Sequence, residues 1–201
     1  MLSLLSTDIT LFIIVFVALL VSIACHEAAH AYVAHWLGDN TPESEGRLTF
    51  DPLAHLDPIG TICLLIFGFG WGKPVNINPN NFRRLVRDDI LVSVAGPLTN
   101  ILLAVVFALL SRLIPDTSLL YSAVIQIVFI NVILAFFNLL PIPPLDGFSF
   151  IALIVGQDTM YRIKSFGSFM LIGLLIVLNI VPAVSNGFFN FVELIVGFLA
   201  G

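Results

Sequence analysis

His26-Glu27-Ala28-Ala29-His30 packs two imidazoles and a carboxylate into five residues. On a helix, positions four apart share a face, so His26 and His30 can aim ring nitrogens at one ion while Glu27 projects beside them. A metal with three protein ligands keeps a position open for water and lowers the pKa of that water to about 7. A neighbouring carboxylate can then accept the proton. These are the parts of a metal-dependent hydrolase. The structural alternative is two histidines bonded to neighbouring helices and a glutamate paired with an arginine. Residues 8–37, which carry the motif, contain no arginine. Ionisable groups in so apolar a run are costly to bury and usually functional.

The composition explains that setting. Of 201 residues, 59% are hydrophobic and 10% are charged, against roughly 25% charged in soluble domains. The expectation is an all-α polytopic membrane protein: one domain over residues 1–201, with a core at 8–155 and C-terminal helices at 163–200. A bundle of about 4–6 transmembrane segments fits this length. The net charge of −5, with no basic run, argues against nucleic acid as a partner. Cys25 and Cys63 lack CxxC spacing and imply no disulfide framework. No Lys or Arg precedes the first apolar run, so it does not read as a secretory signal. No room is seen for an appended PDZ module.

Element by element, a first helix is expected over 8–37, capped by Thr7 or Asp8 and stopped at Gly38. A polar loop over 38–58 follows. Residues 59–70 are apolar but too short to span, which reads as a re-entrant segment. The Gly- and Pro-rich stretch 68–74 leads into Val75-Asn76-Ile77-Asn78, which alternates like a strand and suggests a β-hairpin-like piece able to pair with an extended substrate. Further helices are expected at 88–113 (interrupted at Gly96-Pro97), 119–140 and 163–181, with short apolar pieces at 148–155 and 188–200.

Outside the pentapeptide, only Asp146 and Glu193 have predominantly apolar sequence on both sides. Asp146 follows a proline-rich stretch that ends a helix, where a carboxylate can project from broken backbone; its structural alternative is an N-cap for the next turn. Glu193 reads as a peripheral group. Lys73, Arg83, Arg84, Arg87, Arg162 and Lys164 mark the cytoplasmic side, with the N-terminus outside. Asp146 then reaches the side of His30 only if residues 59–70 turn back.

Three motifs together closely resemble the site-2 protease family of intramembrane zinc metalloproteases, in its compact form without a PDZ domain. They are HEAAH in an apolar helix, Gly96-Pro97-Leu98-Thr99-Asn100, and Asn138-Leu139-Leu140-Pro141-Ile142-Pro143-Pro144-Leu145-Asp146-Gly147. The resemblance covers about residues 22–147. It implies one Zn²⁺ per chain held by His26, His30 and Asp146, with Glu27 as catalytic base. It also implies a membrane-anchored protein substrate, cut in or beside its transmembrane segment, at the cell membrane.

Asn138, Asn100 and His55 are candidate substrate-binding or supporting residues. Asn131, Ala135 and Asn138 share a helix face, which also reads as simple interhelical bonding. Gly96 and Asn100 read first as a close-packing contact. His35 points away from the His26/His30 face. Two rival readings are a non-catalytic metal-binding membrane chaperone and a metal transporter. Neither has a use for Glu27 beside two ligands, and a transporter is expected to show paired broken helices in two related halves.

Overall fold

Residues 8–67 and 70–201 are described in the structure, a computed structural model. In chain order the helices are α1 (Ile9–Trp36), α2 (Thr41–Ser44), α3 (Pro52–His55), α4 (Pro58–Phe67), α5 (Leu85–Ser111), α6 (Leu119–Asn138), α7 (Ala152–Val155), α8 (Gln157–Lys164), α9 (Gly167–Ile180) and α10 (Pro182–Ala200). Short 3-10 turns occur at Pro79–Asn81 and Asp146–Ile151. Four of these helices, α1, α5, α6 and α10, are long and apolar enough to cross a membrane.

Helix α1 starts where the sequence places it. The Asp8 carboxylate accepts from the Leu11 N–H at 3.0 Å, satisfying one of the orphan donors of the first turn. Gly38, at φ 108°, ends it in a conformation that L side chains avoid. Ile9, Ile13, Val17 and Val21 repeat every four residues and are 44–60% exposed, a ridge suited to lipid. The opposite face carries Ala24, Ala28, Ala31 and Ala34, all buried. Such small side chains let helix backbones approach closely, the usual packing device where water cannot drive association. Helix α1 lies against α5 and α6. On the far side, Ala104 and Ala108 of α5, Val128 and Val132 of α6, and Val192 and Val196 of α10 form one apolar cluster.

Several expectations need correction. Helix α5 runs unbroken through Gly96-Pro97. Pro97 removes only one backbone donor, and dense packing at a buried position holds the helix together there. The helix expected over 163–181 is α9, which starts only at Gly167, and a separate short helix, α8, precedes it. Gly167 packs so tightly on the prolines before Asp146 that an added Cβ would lie 3.2 Å from the Pro144 nitrogen. The piece expected at 188–200 is the C-terminal part of the longer α10.

The re-entrant, hairpin-like segment is not supported. Residues Pro58–Phe67 are a ten-residue helix, and no strand occurs among the described residues. From Gly70 on, the chain is joined to the preceding loop by one isolated bridge, Leu56 to Gly72. Gly70 and Gly60 pass close together, since a Cβ on Gly70 would meet the Gly60 oxygen at 2.2 Å. Of the expected breaker sequence, residues 68–69 lie outside the described residues. Residues 75–78 alternate as a strand does but form no ladder. The Val75 N–H goes instead to the Glu27 carboxylate at 3.0 Å and the Asn78 N–H to Asp39 at 2.7 Å.

Candidate metal centre

The alanine face of α1 brings His26 and His30 against α5 at Gly96. A Cβ on Gly96 would sit 2.5 Å from His30 Nε2 and 2.6 Å from His26 Nε2. No other residue leaves room for the two rings. His30 Nδ1 lies 2.8 Å from the Val92 carbonyl, a group that only accepts, so Nδ1 carries the proton and Nε2 presents a lone pair. His26 Nδ1 lies 2.6 Å from Asn100 Oδ1.

The third member arrives from the turn after α6. Gly147 folds back on the end of that helix, where a Cβ would lie 2.1 Å from the Leu139 carbonyl oxygen. Ser149 reaches across to Ser93 of α5 at 2.7 Å. Together these contacts aim Asp146 at the histidines: its Oδ2 is 3.1 Å from His26 Nε2 and 3.4 Å from His30 Nε2. The two Nε2 atoms are 3.0 Å apart.

This trio fits a metal ion. His26, His30 and Asp146 can each offer one ligand atom to a common centre. Ligands about 2.0–2.1 Å from a tetrahedral zinc lie roughly 3.3 Å from one another, close to the separations found. Asp146 Oδ2 is buried and receives no hydrogen bond. A single proton satisfies one pair of these atoms, whereas a cation satisfies all three at once. The donor set, two imidazoles and a carboxylate, suits zinc.

Glu27 stands beside the trio without joining it, its Oε2 held by the Val75 N–H. Residues 72–78 therefore strap over the base. Arg47, itself buried, donates through Nη2 to the Lys73 carbonyl. Lys73 N–H donates to the His55 carbonyl at 2.8 Å. Asn76 donates to Glu45. At the far end Asp39, fully buried, accepts from Thr41, Asn78 and Asn81. Burial pushes the Asp39 carboxyl up, but these hydrogen bonds outweigh it and hold the group below its ordinary value. A lowered folded-state value means that its contribution is complete above the unfolded value of about 3.9 and is lost only as pH falls through the lower one. Exchange protection of the Asn78 amide should therefore be flat near neutral pH and collapse only in strong acid. Asp39→Ala should cost about 2–3 kcal/mol, read as a lower unfolding temperature in detergent.

The candidate residues separate clearly. Asn100 touches the centre through His26. His55 is fully buried beneath the strap, its Nε2 donating to the Thr49 carbonyl at 2.8 Å, and is not brought to the trio. Asn138 donates to Leu134 in its own helix. His35 lies 3.6 Å from Glu43. In the sequence Gly96 reads first as a packing contact, with a supporting role at the metal second, and nothing there gives a metal-side role to Asn131, Ser22 or the Val92 carbonyl. Asn131 and Ser22 were detectable only as polar residues inside apolar helices.

Proteins similar to this chain carry the same chemistry in their names. "Putative zinc metalloprotease YwhC" of Bacillus subtilis is 41% identical over 147 residues, 67% of this chain and 66% of that protein. "Putative zinc metalloprotease Rip2" of Mycolicibacterium smegmatis is 33% identical over 190 residues, 90% of this chain and 72% of the relative. The chain belongs to this zinc metalloprotease family. A further member, "Putative zinc metalloprotease MJ0611" of Methanocaldococcus jannaschii, is 36% identical over 140 residues, 70% of each chain. The metalloprotease thus spans just under two thirds of YwhC and somewhat more of the other two. No family profile and no solved structure matches it. Its cofactor is zinc, in accord with the His/His/Asp centre.

Proposed function

We propose that the protein is an intramembrane zinc endopeptidase of the site-2 type, hydrolysing peptide bonds in transmembrane or membrane-adjacent segments of membrane-anchored proteins. The observation that carries this is the location of the trio. His26 and His30 lie within one helix long enough to span, against the middle of a second, with Asp146 in the turn that follows a third.

His26, His30 and Asp146 are the ligands in this reading. Zinc, when bound, supplies a Lewis acid and an activated water. With zinc held there, Glu27 would be the group to accept a proton at its carboxylate and to give it to the leaving amine. The Val75 N–H fixes one carboxylate oxygen and so the orientation of the base. A substrate helix must unwind locally, because helical carbonyls are already bonded internally. Arg83, Arg84 and Arg87 line a cleft with Trp36 and Leu37 at the His30 end of α1. Their charge supports a site toward the cytoplasmic side, with the N-terminus outside.

The test is cleavage of a single-pass model substrate by the zinc-loaded protein in lipid nanodiscs. Cleavage should stop on adding 1,10-phenanthroline and return with zinc. Zinc-dependent cutting of a soluble peptide, with the membrane-embedded substrate untouched, would refute the intramembrane assignment.

A further inference from the structure

Behind His26 runs a buried line of polar side chains that crosses three helices. Asn100 of α5, Asn131 of α6 and Ser22 of α1 are each no more than 3% exposed. Asn131 Nδ2 donates to the Ile127 carbonyl at 2.9 Å and to Ser22 Oγ at 3.0 Å. Asn100 Nδ2 donates to Asn131 Oδ1 at 2.9 Å. Asn100 Oδ1 then lies 2.6 Å from His26 Nδ1.

The line has a direction. The Ile127 carbonyl is backbone and can only accept, so the end of the Asn131 amide beside it must be the NH₂. That places the Asn131 oxygen toward Asn100, which must answer with its own NH₂. The Asn100 oxygen is thereby turned to His26, whose Nδ1 must hold a proton. One proton in a neutral ring leaves Nε2 bare, and Nε2 is the atom that faces Asp146. From this we infer that Asn131 is a positioning residue for the metal centre: anchored on the Ile127 carbonyl, it fixes the tautomer of His26 through Asn100. The inference rests on the reading of His26 as a zinc ligand.

The reach of this lock explains why two amides are needed. An asparagine facing a histidine can present either its oxygen or its nitrogen, and the Ser22 carbonyl, 3.5 Å from Asn100 Nδ2, is too distant to fix that choice by itself. A fixed acceptor further back removes the choice. His30 needs no such relay, because it meets a backbone carbonyl directly. Each histidine is therefore oriented by a helix carbonyl, one at first hand and one at two removes. Helix α6 bears both the anchor and, at its C-terminal end, the turn that delivers Asp146.

Asn131→Leu keeps the volume and removes the relay, freeing the Asn100 amide to rotate. Asn131→Asp presents an oxygen to Asn100 in either protonation state. Zinc affinity by chelator competition should fall about 10- to 100-fold in Asn131→Leu and stay within about threefold of wild type in Asn131→Asp. In metal-free protein, ¹⁵N shifts of the His26 ring should show the proton on Nδ1 in wild type and in Asn131→Asp, and a mixture in Asn131→Leu. Wild-type His26 protonated on Nε2 overturns the proposal even if Asn131→Leu fails to fold. So does a folded Asn131→Leu with wild-type affinity and tautomer. His26→Ala separates the two levels: it should abolish tight zinc binding, and retained affinity would remove the ligand reading on which the relay depends.

Discussion

Glu27→Gln is expected to leave zinc in place and reduce substrate cleavage by about 10²–10⁴-fold. Glu27 is outside the trio formed by His26, His30 and Asp146, so metal content should not change. The glutamine oxygen can still accept from the Val75 N–H, so the strap over the site should keep its position. What is lost is the ability to take a proton. Initial rates on a model transmembrane substrate, alongside zinc content of the same preparation, measure both quantities. An unchanged rate in zinc-loaded Glu27→Gln would sink the proposed mechanism. The same substitution discriminates between classes of function: a chaperone or transporter using the centre only to hold metal has no reason to respond.

Gly96→Ala should be nearly as damaging, by a different route. In an exposed helix interior, glycine to alanine stabilises by about 1 kcal/mol. Here the added methyl lands 2.5–2.6 Å from His30 Nε2 and from His26 Nε2 and Cε1. Real Cβ atoms do not sit that close, so either the rings rotate away or α5 withdraws. Both break the convergence on Asp146. Zinc affinity should drop by about 100-fold or more, beyond the loss expected for an outer hydrogen-bonding partner. The helical content should persist, because the alanine face of α1 and the apolar cluster joining α5, α6 and α10 remain. Gly96→Ala with wild-type affinity and helicity would mean that the rings have more room than the structure shows.

What was readable in the sequence was local. The i, i+4 histidines, the Asp8 cap, the Gly38 stop and the proline-rich approach to Asp146 each involve a few neighbouring residues. Spacing and backbone chemistry determine such features directly. The strap was misread because its partners are distant: alternation at Val75 and Ile77 is real, but the donors that a strand would pair are taken by Glu27 and Asp39. Pro97 looked like an interruption because a helix-breaking propensity is local, whereas the packing that overrides it is not. Gly96 and Asn131 show the same limit. A glycine beside two imidazoles and a glycine at any helix contact are identical in sequence. Only the crossing of α1, α5 and α6 distinguishes them.

Three electron-rich atoms, His26 Nε2, His30 Nε2 and Asp146 Oδ2, face one another across 3.0–3.4 Å in the interior of the bundle. Without a cation, that crowding opposes the packing that produces it. Folding and loading are therefore coupled. Zinc at 100 times its dissociation constant adds about 2.7 kcal/mol to the folded state, a sizeable fraction of the 5–15 kcal/mol that holds a typical domain together. Free zinc would then set the folded fraction of the protein before any substrate arrives.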